Sequence, residues 1–498
     1  MLDTVRQWQG TAESLTEELN HQIKELKLSV EIPAVRTVRL WRSKNIFSQP
    51  QKQRFGFRQI LEGLATVLLL KKGWTLAAIS QVLPSLSDIN LERQILAEAE
   101  SQETTWIPDS FVKDHRQQID LAENAVVLLA QGIIRLYQQI SHDQEIVKIV
   151  KQDDNLLPGE LYQGMCKLGR LYIENGQIDQ AASVHQILNL ARFPLKNAQW
   201  NLPIFQQPEF SYRDVILIDS QLCVPTNDCE TIAHNYGGFG ENNLIERRLY
   251  NSLKESTEKL ASRRQHLAYT KIRELLGRFS LIGQRKLLDY VEEHDLTPLQ
   301  RVISEFFIEV PDIWLIKNFA HRCADCGTLM RPHYQKIYPN GQCPIVQCPG
   351  HLNPKIGEKL DPNKDQLLVA KPQILTYWTA PAIDELAIYD IAKKEGLEVE
   401  LYPNSDICDI GINNRFIGID AKSYSSPVAL AAKLNHSIGG LIHYTHRIIA
   451  ISDRLIIDNP YYLDIVREKL EPKNPQSTLQ IMSVSEIIQK LKERYYEN

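Results

Sequence analysis

The sequence predicts a multidomain protein, mainly α-helical in its N-terminal and middle regions, with a small cysteine-bound module ahead of a C-terminal α/β domain. Three observations carry that expectation. The chain has 498 residues, more than one hydrophobic core usually serves, so three or more domains are expected. Four of its eight cysteines fall between Cys323 and Cys348, which points to a metal site rather than to disulfides. Beyond residue 365, short apolar runs such as "FIGIDAK" and "RIIAIS" alternate with amphipathic stretches such as "VALAAKLN", the pattern of strands and helices in turn. The longest apolar run, "LATVLLL" from Leu64 to Leu70, is far too short for a membrane span, and the acidic start Met1-Leu2-Asp3 lacks the basic and apolar regions of a signal peptide. A cytoplasmic location without membrane contact is therefore expected. The net charge of -5 says little, because the charge is unevenly spread.

Residues 20–100 form the first expected module. Between residues 21 and 73, eleven basic side chains stand against three acidic ones, an excess of eight that suits a nucleic-acid phosphate backbone. Pro33 is placed to open a short helix carrying Arg36, Thr37, Arg39 and Trp41. A polar loop containing "RFGFR" follows, then a helix from about Gln59 to Lys72 with "GWTLAAISQVL" behind it. The strings "VRTVRLWRSKNIF", "FGFRQI" and "LLLKKGWTLAAISQVL" resemble the recognition helix, wing and following helix pair of MerR-like winged helix-turn-helix domains. That resemblance implies DNA contacts by Arg36, Thr37, Arg39 and Arg58, packing roles for Trp41 and Phe57, and a left-handed Asn45 where the family commonly has Gly.

A long helix is expected over 107–141. Ile119, Ala122, Val126, Leu129, Ile133, Leu136 and Ile140 recur at alternating spacings of three and four, a heptad seam that would join two copies into a homodimer. Val127, Leu128 and Ile134 widen the stripe towards an ordinary buried helix. Residues 150–310 read as a helical middle domain. "GRLYIENGQIDQAASVHQIL" resembles a single tetratricopeptide-like hairpin, and one copy does not make a solenoid. "YGGFGENN" lacks the Gly-Lys-Ser/Thr of a phosphate loop and reads as a turn.

Over 318–355, Cys323-Ala-Asp-Cys326 with Cys343 and Cys348 supplies four thiolates in two knuckles, the donor set of a structural Zn2+ site with no open coordination position. The module resembles a zinc ribbon. Its second pair has four intervening residues rather than two, and His351 could replace Cys348.

The chemistry is expected over 365–498. "DELAIYDIAKKEGLEVELYPNSDICDIGINNRFIGIDAKSY" reads as a helix, a strand and a hairpin. With Asn413-Asn414 as a two-residue turn, Ile412 would face Arg415 and Asp409 would face Gly418. Asp409, Gly418, Asp420 and Lys422 would then share one face while Ile417, Ile419 and Ala421 share the other. Asp409 and Asp420 would be diagonal neighbours about 7–8 Å apart, and Asp406 would point the wrong way. Two carboxylates on an apolar hairpin repel unless a proton or a cation sits between them. A hard ion such as Mg2+ resolves the conflict, and Lys422 beside it suits phosphodiester hydrolysis. These residues resemble the centre of the PD-(D/E)xK restriction-endonuclease-like superfamily. The resemblance implies Asp409 and Asp420 as metal ligands, Lys422 as the water-positioning group and Glu385 as the acid of the first core helix. The choice of Asp409 over Asp406 stays open, since no Pro precedes Asp409.

The order of modules, with "AHRCADCGTLMRP" ahead of the nuclease-like segment, resembles the restriction-endonuclease-type (REase) partner of prokaryotic PIWI-RE defence islands. That implies a Mg2+-dependent DNA endonuclease acting on foreign DNA or RNA–DNA hybrids beside a PIWI-like protein and a helicase. Two other readings stand beside it: a MerR-like transcription regulator with a non-catalytic nuclease-like domain, and a non-enzymatic scaffold of a defence complex.

Overall fold

The computed structural model describes residues 5–49, 54–72, 74, 76–99, 109–142, 157–237, 239–334, 337–471 and 479–493. They fall into two compact units, Met1–Gln118 and Ile119–Asn498. Among the described residues, no helix is long and apolar enough to cross a membrane.

The first unit is helical. Its central helix, Phe57–Lys71, buries every residue from Gln59 to Leu69, so the rest of the unit wraps round it. The Ala12–Glu25 helix begins at a capping box in which Thr11 and Ser14 satisfy each other's backbone N–H groups. It then lays Leu15, Leu19 and Ile23 inward. Contact with the central helix is so close that a Cβ on Gly63 would come within 2.7 Å of Leu19. Trp41, from the Val35–Ser43 helix, is 2% exposed and packs on Phe47, which meets Phe55 in turn. Asn45 is left-handed, with φ of 56°, as the sequence suggested.

The segment expected as a wing is something else. Gly56 is extended and caps the central helix, Gln59 Oε1 accepts from the Gly56 N–H at 2.8 Å, and Phe57 and Arg58 are already helical. Arg58 is then placed to donate inward. It reaches Glu62 at 2.8 Å, Asp88 at 2.8 Å, and the carbonyls of Leu83 at 2.7 Å and Leu86 at 2.6 Å. The expected DNA contact at Arg58 is thereby corrected, because the guanidinium ties the central helix to the turn before the Asp88–Ala99 helix.

In the second unit one hydrophobic core runs from Ala122 to Leu491. The Asp109–His142 helix buries Ala122, Val126, Leu129, Ile133 and Leu136 in it. Two glycines let it touch the Gly159–Glu174 helix almost backbone to backbone. A Cβ on Gly132 would lie 2.4 Å from the Leu161 nitrogen, and one on Gly164 would lie 3.0 Å from the Leu129 nitrogen. Five of the seven seam residues are therefore covered from within the chain, with Ile119 partly buried and Ile140 exposed, which corrects the reading of the stripe as a seam between two copies along its length.

Ten strands follow. β1 (Leu281–Gly283), β2 (Phe307–Glu309) and β5 (Leu367–Ala370) form an antiparallel sheet with β5 in the middle, and β3 (Ala320–Cys323) pairs with β4 (Ile356–Leu360). β6 (Val399–Leu401), β7 (Ile410–Ile412), β8 (Ile417–Lys422), β9 (His446–Ile451) and β10 (Leu479–Ser483) form a mixed sheet in the order β10-β9-β8-β7-β6. The first three are antiparallel and the last three parallel. Alternation sorts their side chains: Ile410, Ile417, Ile419, Ile448 and Met482 join the core with the Ala380–Lys394 and Val484–Lys492 helices. Ile449, Ile451 and Ile481 pack on the Pro427–His436 and Tyr462–Lys469 helices across the sheet.

The β7–β8 turn differs from expectation. Asn413, Asn414 and Arg415 are all left-handed, and four residues, not two, separate the strands, so that Ile412 pairs with Ile417 and Ile410 with Ile419. The loop is drawn towards β9, where Thr445 and His446 donate to the carbonyls of Arg415 and Phe416. The register moves by two positions, which preserves faces and brings Asp409 opposite Asp420 instead of Gly418.

Because the Leu129 contact is internal, Leu129→Ala should cost about 2–5 kcal/mol in unfolding free energy and leave molar mass in solution unchanged. A variant that changed oligomeric state at parental stability would restore the intermolecular seam.

Candidate active site and metal centres

The cysteine centre is built by the β3–β4 hairpin and the loops beside it. Cys323 ends β3, and Gly327, with φ of +72°, turns the knuckle so that its N–H donates to the Cys323 carbonyl at 3.0 Å. Cys323, Cys326, Cys343 and Cys348 are all buried, with sulfur atoms within 4.8 Å of one another. Two of the gaps are 3.4 Å (Cys326–Cys343) and 3.8 Å (Cys323–Cys348). A tetrahedron with Zn–S bonds of about 2.3 Å has edges of about 3.8 Å, so the quartet fits a zinc ion. The Gly350 N–H donates to Cys348 Sγ at 3.3 Å. A side chain there would collide with Cys323 Sγ at 2.5 Å. His351 turns its Nδ1 to the Cys343 carbonyl at 2.7 Å and stands behind the quartet, which removes it as an alternative to Cys348. The quartet packs on Ala380 and Ile383, the first turns of the helix that carries Glu385.

The second centre lies at the end of the mixed sheet where β7 begins and β8 ends. Asp409 is 8% exposed and its Oδ2 accepts from the Ala421 N–H at 2.6 Å. Across the pair, Asp420 Oδ2 lies 2.8 Å from Lys422 Nζ. Glu385, 1% exposed, reaches the same end from its helix and accepts from the Tyr402 hydroxyl. The sheet end thus brings together all four residues that the sequence singled out. Burial drives the Asp409 carboxyl well above its ordinary value, and the charges of Glu385 and Asp420 push the same way. Burial likewise lifts Glu385 to about 7 against the pull of Arg273 and Tyr402. Burial works to lower Lys422, but Asp420 and Asp409 outweigh it and hold the ammonium well above the usual lysine value.

Asp406 departs from expectation. Tyr402, Asn404, Ser405 and Asp406 all have positive φ, so the chain leaves β6 through a tight coil instead of continuing as a strand. The Asp406 carboxylate therefore belongs to the same group of charges. Its Oδ2 accepts from Arg273 Nη1 at 2.8 Å and from the Tyr269 hydroxyl at 2.7 Å. Arg273 and Tyr269 sit on the Ser262–Arg278 helix, within the stretch that sequence reading left without a role. The available signal was their spacing of four on a helix whose other inward residues are apolar, but nothing local connects them to Asp406.

Four carboxylates (Glu385, Asp406, Asp409, Asp420) and two cations (Arg273, Lys422) leave a formal charge of minus two when all are ionised. One divalent cation would balance it, although among the described residues only the cysteine quartet brings three or more ligand atoms within 4.8 Å of one another. Behind Lys422 the chain is held by Asp228, which is 1% exposed and accepts from the N–H groups of Ser425 at 2.8 Å and Ser426 at 3.3 Å. On the first unit, Arg36 is exposed and Thr37 half-buried, while Arg39 is exposed and paired with Glu13.

Zinc should co-purify at about one ion per chain and fall below half of that in Cys343→Ser, measured by elemental analysis. Unchanged zinc content in the variant would remove the ion from this quartet.

No curated protein and no solved structure matches the chain. Residues 382–498, which contain Glu385, Asp409, Asp420 and Lys422, match the family described as REase associating with pPIWI_RE.

Proposed function

We propose that the chain is a Mg2+-dependent DNA endonuclease that hydrolyses phosphodiester bonds as the REase component of a PIWI-RE defence system. The observation that carries this reading is that Asp409, just before β7, bonds the Ala421 N–H beside Asp420, with Lys422 at 2.8 Å from Asp420, inside the segment with the REase family match. Asp409 and Asp420 would hold the metal, and Glu385 would act as the acid of the first core helix beside them. Bound there, Mg2+ would supply a Lewis acid for a phosphoryl oxygen. Lys422 orients the attacking water and stabilises charge on the scissile phosphate. The sheet backbone fixes Asp409 through the Ala421 N–H, so the ligands are held before substrate arrives.

The N-terminal unit would hold DNA by a MerR-like mode through Arg36, Thr37 and Arg39 on the Val35–Ser43 helix. The exposure of Arg36 and Arg39 supports phosphate contact, and Arg58 is left out because its donors are engaged inside the unit. A PIWI-like protein and a helicase would be its partners, with duplex DNA or an RNA–DNA hybrid as substrate. A second copy of the chain would have to join through a surface other than the Asp109–His142 stripe.

The test is cleavage of plasmid DNA by the purified protein with its partners present. Mg2+ should support cutting, chelation should stop it, and Asp409→Ala, Asp420→Ala and Lys422→Ala should each lower the rate at least a hundredfold while DNA binding persists. Full binding with no Mg2+-dependent cutting by the parent would favour the regulator or scaffold readings. An Asp420→Ala protein as fast as the parent would refute the assignment of the centre.

A further inference from the structure

Arg273 lies more than a hundred residues before Glu385 and outside the 382–498 segment with the family match, yet its side chain ends inside the carboxylate centre. It is 5% exposed. The guanidinium lies 4.4 Å from the Tyr402 ring centroid and 5.1 Å from that of Trp378, so two aromatic faces fix its plane. Nη1 bonds Asp406 Oδ2 at 2.8 Å and Nη2 stands 3.9 Å from Glu385 Oε2.

The helix that carries it is shaped for this contact. His266, Tyr269, Thr270 and Arg273 fall on one helical face. His266 Nδ1 meets Ser405 Oγ at 2.7 Å, Tyr269 donates to Asp406 at 2.7 Å and Thr270 donates to the Leu401 carbonyl at 3.3 Å. Three of these side chains thus clamp the coil after β6, whose left-handed residues need outside support, and Thr270 holds the end of β6 itself.

The clamp divides the charges into two halves. Asp409 and Asp420 have Lys422, a flexible ammonium that can turn aside when another cation arrives. Asp406 and Glu385 have Arg273, whose charge is permanent and whose plane cannot turn. We propose that Arg273 is a positioning residue that takes the place of a second metal ion between Asp406 and Glu385, and so limits the centre to one divalent ion at Asp409 and Asp420. This rests on the metal-dependent reading of the centre. Nuclease sites that use two ions place them about 3.5–4 Å apart between shared carboxylates, whereas here a guanidinium stands between the carboxylates of Asp406 and Glu385.

The experiment counts Mn2+ bound to the full-length, zinc-loaded protein by the electron paramagnetic resonance signal of free Mn2+, with Asp420→Ala as background. One ion is expected in the parent, one in Arg273→Lys, which keeps the charge, and two in Arg273→Gln, which frees Asp406 and Glu385. Two ions in the parent overturn the inference whether or not any variant folds. Two ions in Arg273→Lys, or one ion in a folded Arg273→Gln, also overturn it. Failure of the underlying reading looks different: the parent would take up no more Mn2+ than Asp420→Ala, and the inference would fall with it.

Discussion

Four carboxylates brought to one end of a sheet are the constraint on which the rest of the second unit depends. Unit charges 4 Å apart interact by roughly 4 kcal/mol at an effective dielectric of 20, so Glu385, Asp406, Asp409 and Asp420 cannot all be ionised together without compensation. Burial is the main cause of the upward displacement of Asp409 and Glu385, and neighbouring carboxylates add to it, Glu385 and Asp420 at Asp409 and Asp406 at Glu385. Two cations are built in to relieve that repulsion. Lys422 comes from the same strand as Asp420, two residues on, and arrives with the fold of the hairpin. Arg273 comes from a distant helix and requires that helix to be held against the coil after β6.

Much of the unit can be understood as the means of holding these groups. Gly277 brings the Ser262–Arg278 helix close to the helix carrying Glu385, since a Cβ there would come within 2.8 Å of Ala382. The cysteine quartet packs on Ala380 and Ile383 of that same helix, so an ion held by the quartet would add to the support of Glu385. On the other side, Asp228 fixes the loop that follows Lys422 through the Ser425 and Ser426 N–H groups. The middle region thus supplies buttresses and one charged group to a centre whose other members lie in the C-terminal segment.

What could be read from the sequence follows from the range of the interactions involved. Alternation along β8 is local, so the shared face of Asp420 and Lys422 and the opposite face of Ile417, Ile419 and Ala421 were legible. The register was not, because three left-handed residues and two hydrogen bonds to the start of β9 set the length of the turn. A slip of two positions kept the faces and hid the error. Asp406 was misplaced because the coil after β6 depends on His266, Tyr269 and Arg273, none of them nearby in sequence. Arg58 was basic in a basic stretch, and only the fold of the Leu83–Asp88 turn turns its donors inward. The heptad stripe was correctly apolar but carried no sign of whether the Gly159–Glu174 helix or a second copy would cover it. The cysteines were legible because spacing alone limits what four thiols can do.

A divalent ion between Asp409 and Asp420, and none between Asp406 and Glu385, is the arrangement we propose. The most direct measurement is anomalous diffraction from crystals of the protein grown with Mn2+, which locates the ion without reference to activity. One peak is expected within bonding distance of the Asp409 and Asp420 carboxylates, with Arg273 still against Asp406. A peak between Asp406 and Glu385, or Mn2+ absent from the end of the sheet at saturating concentration, would contradict it.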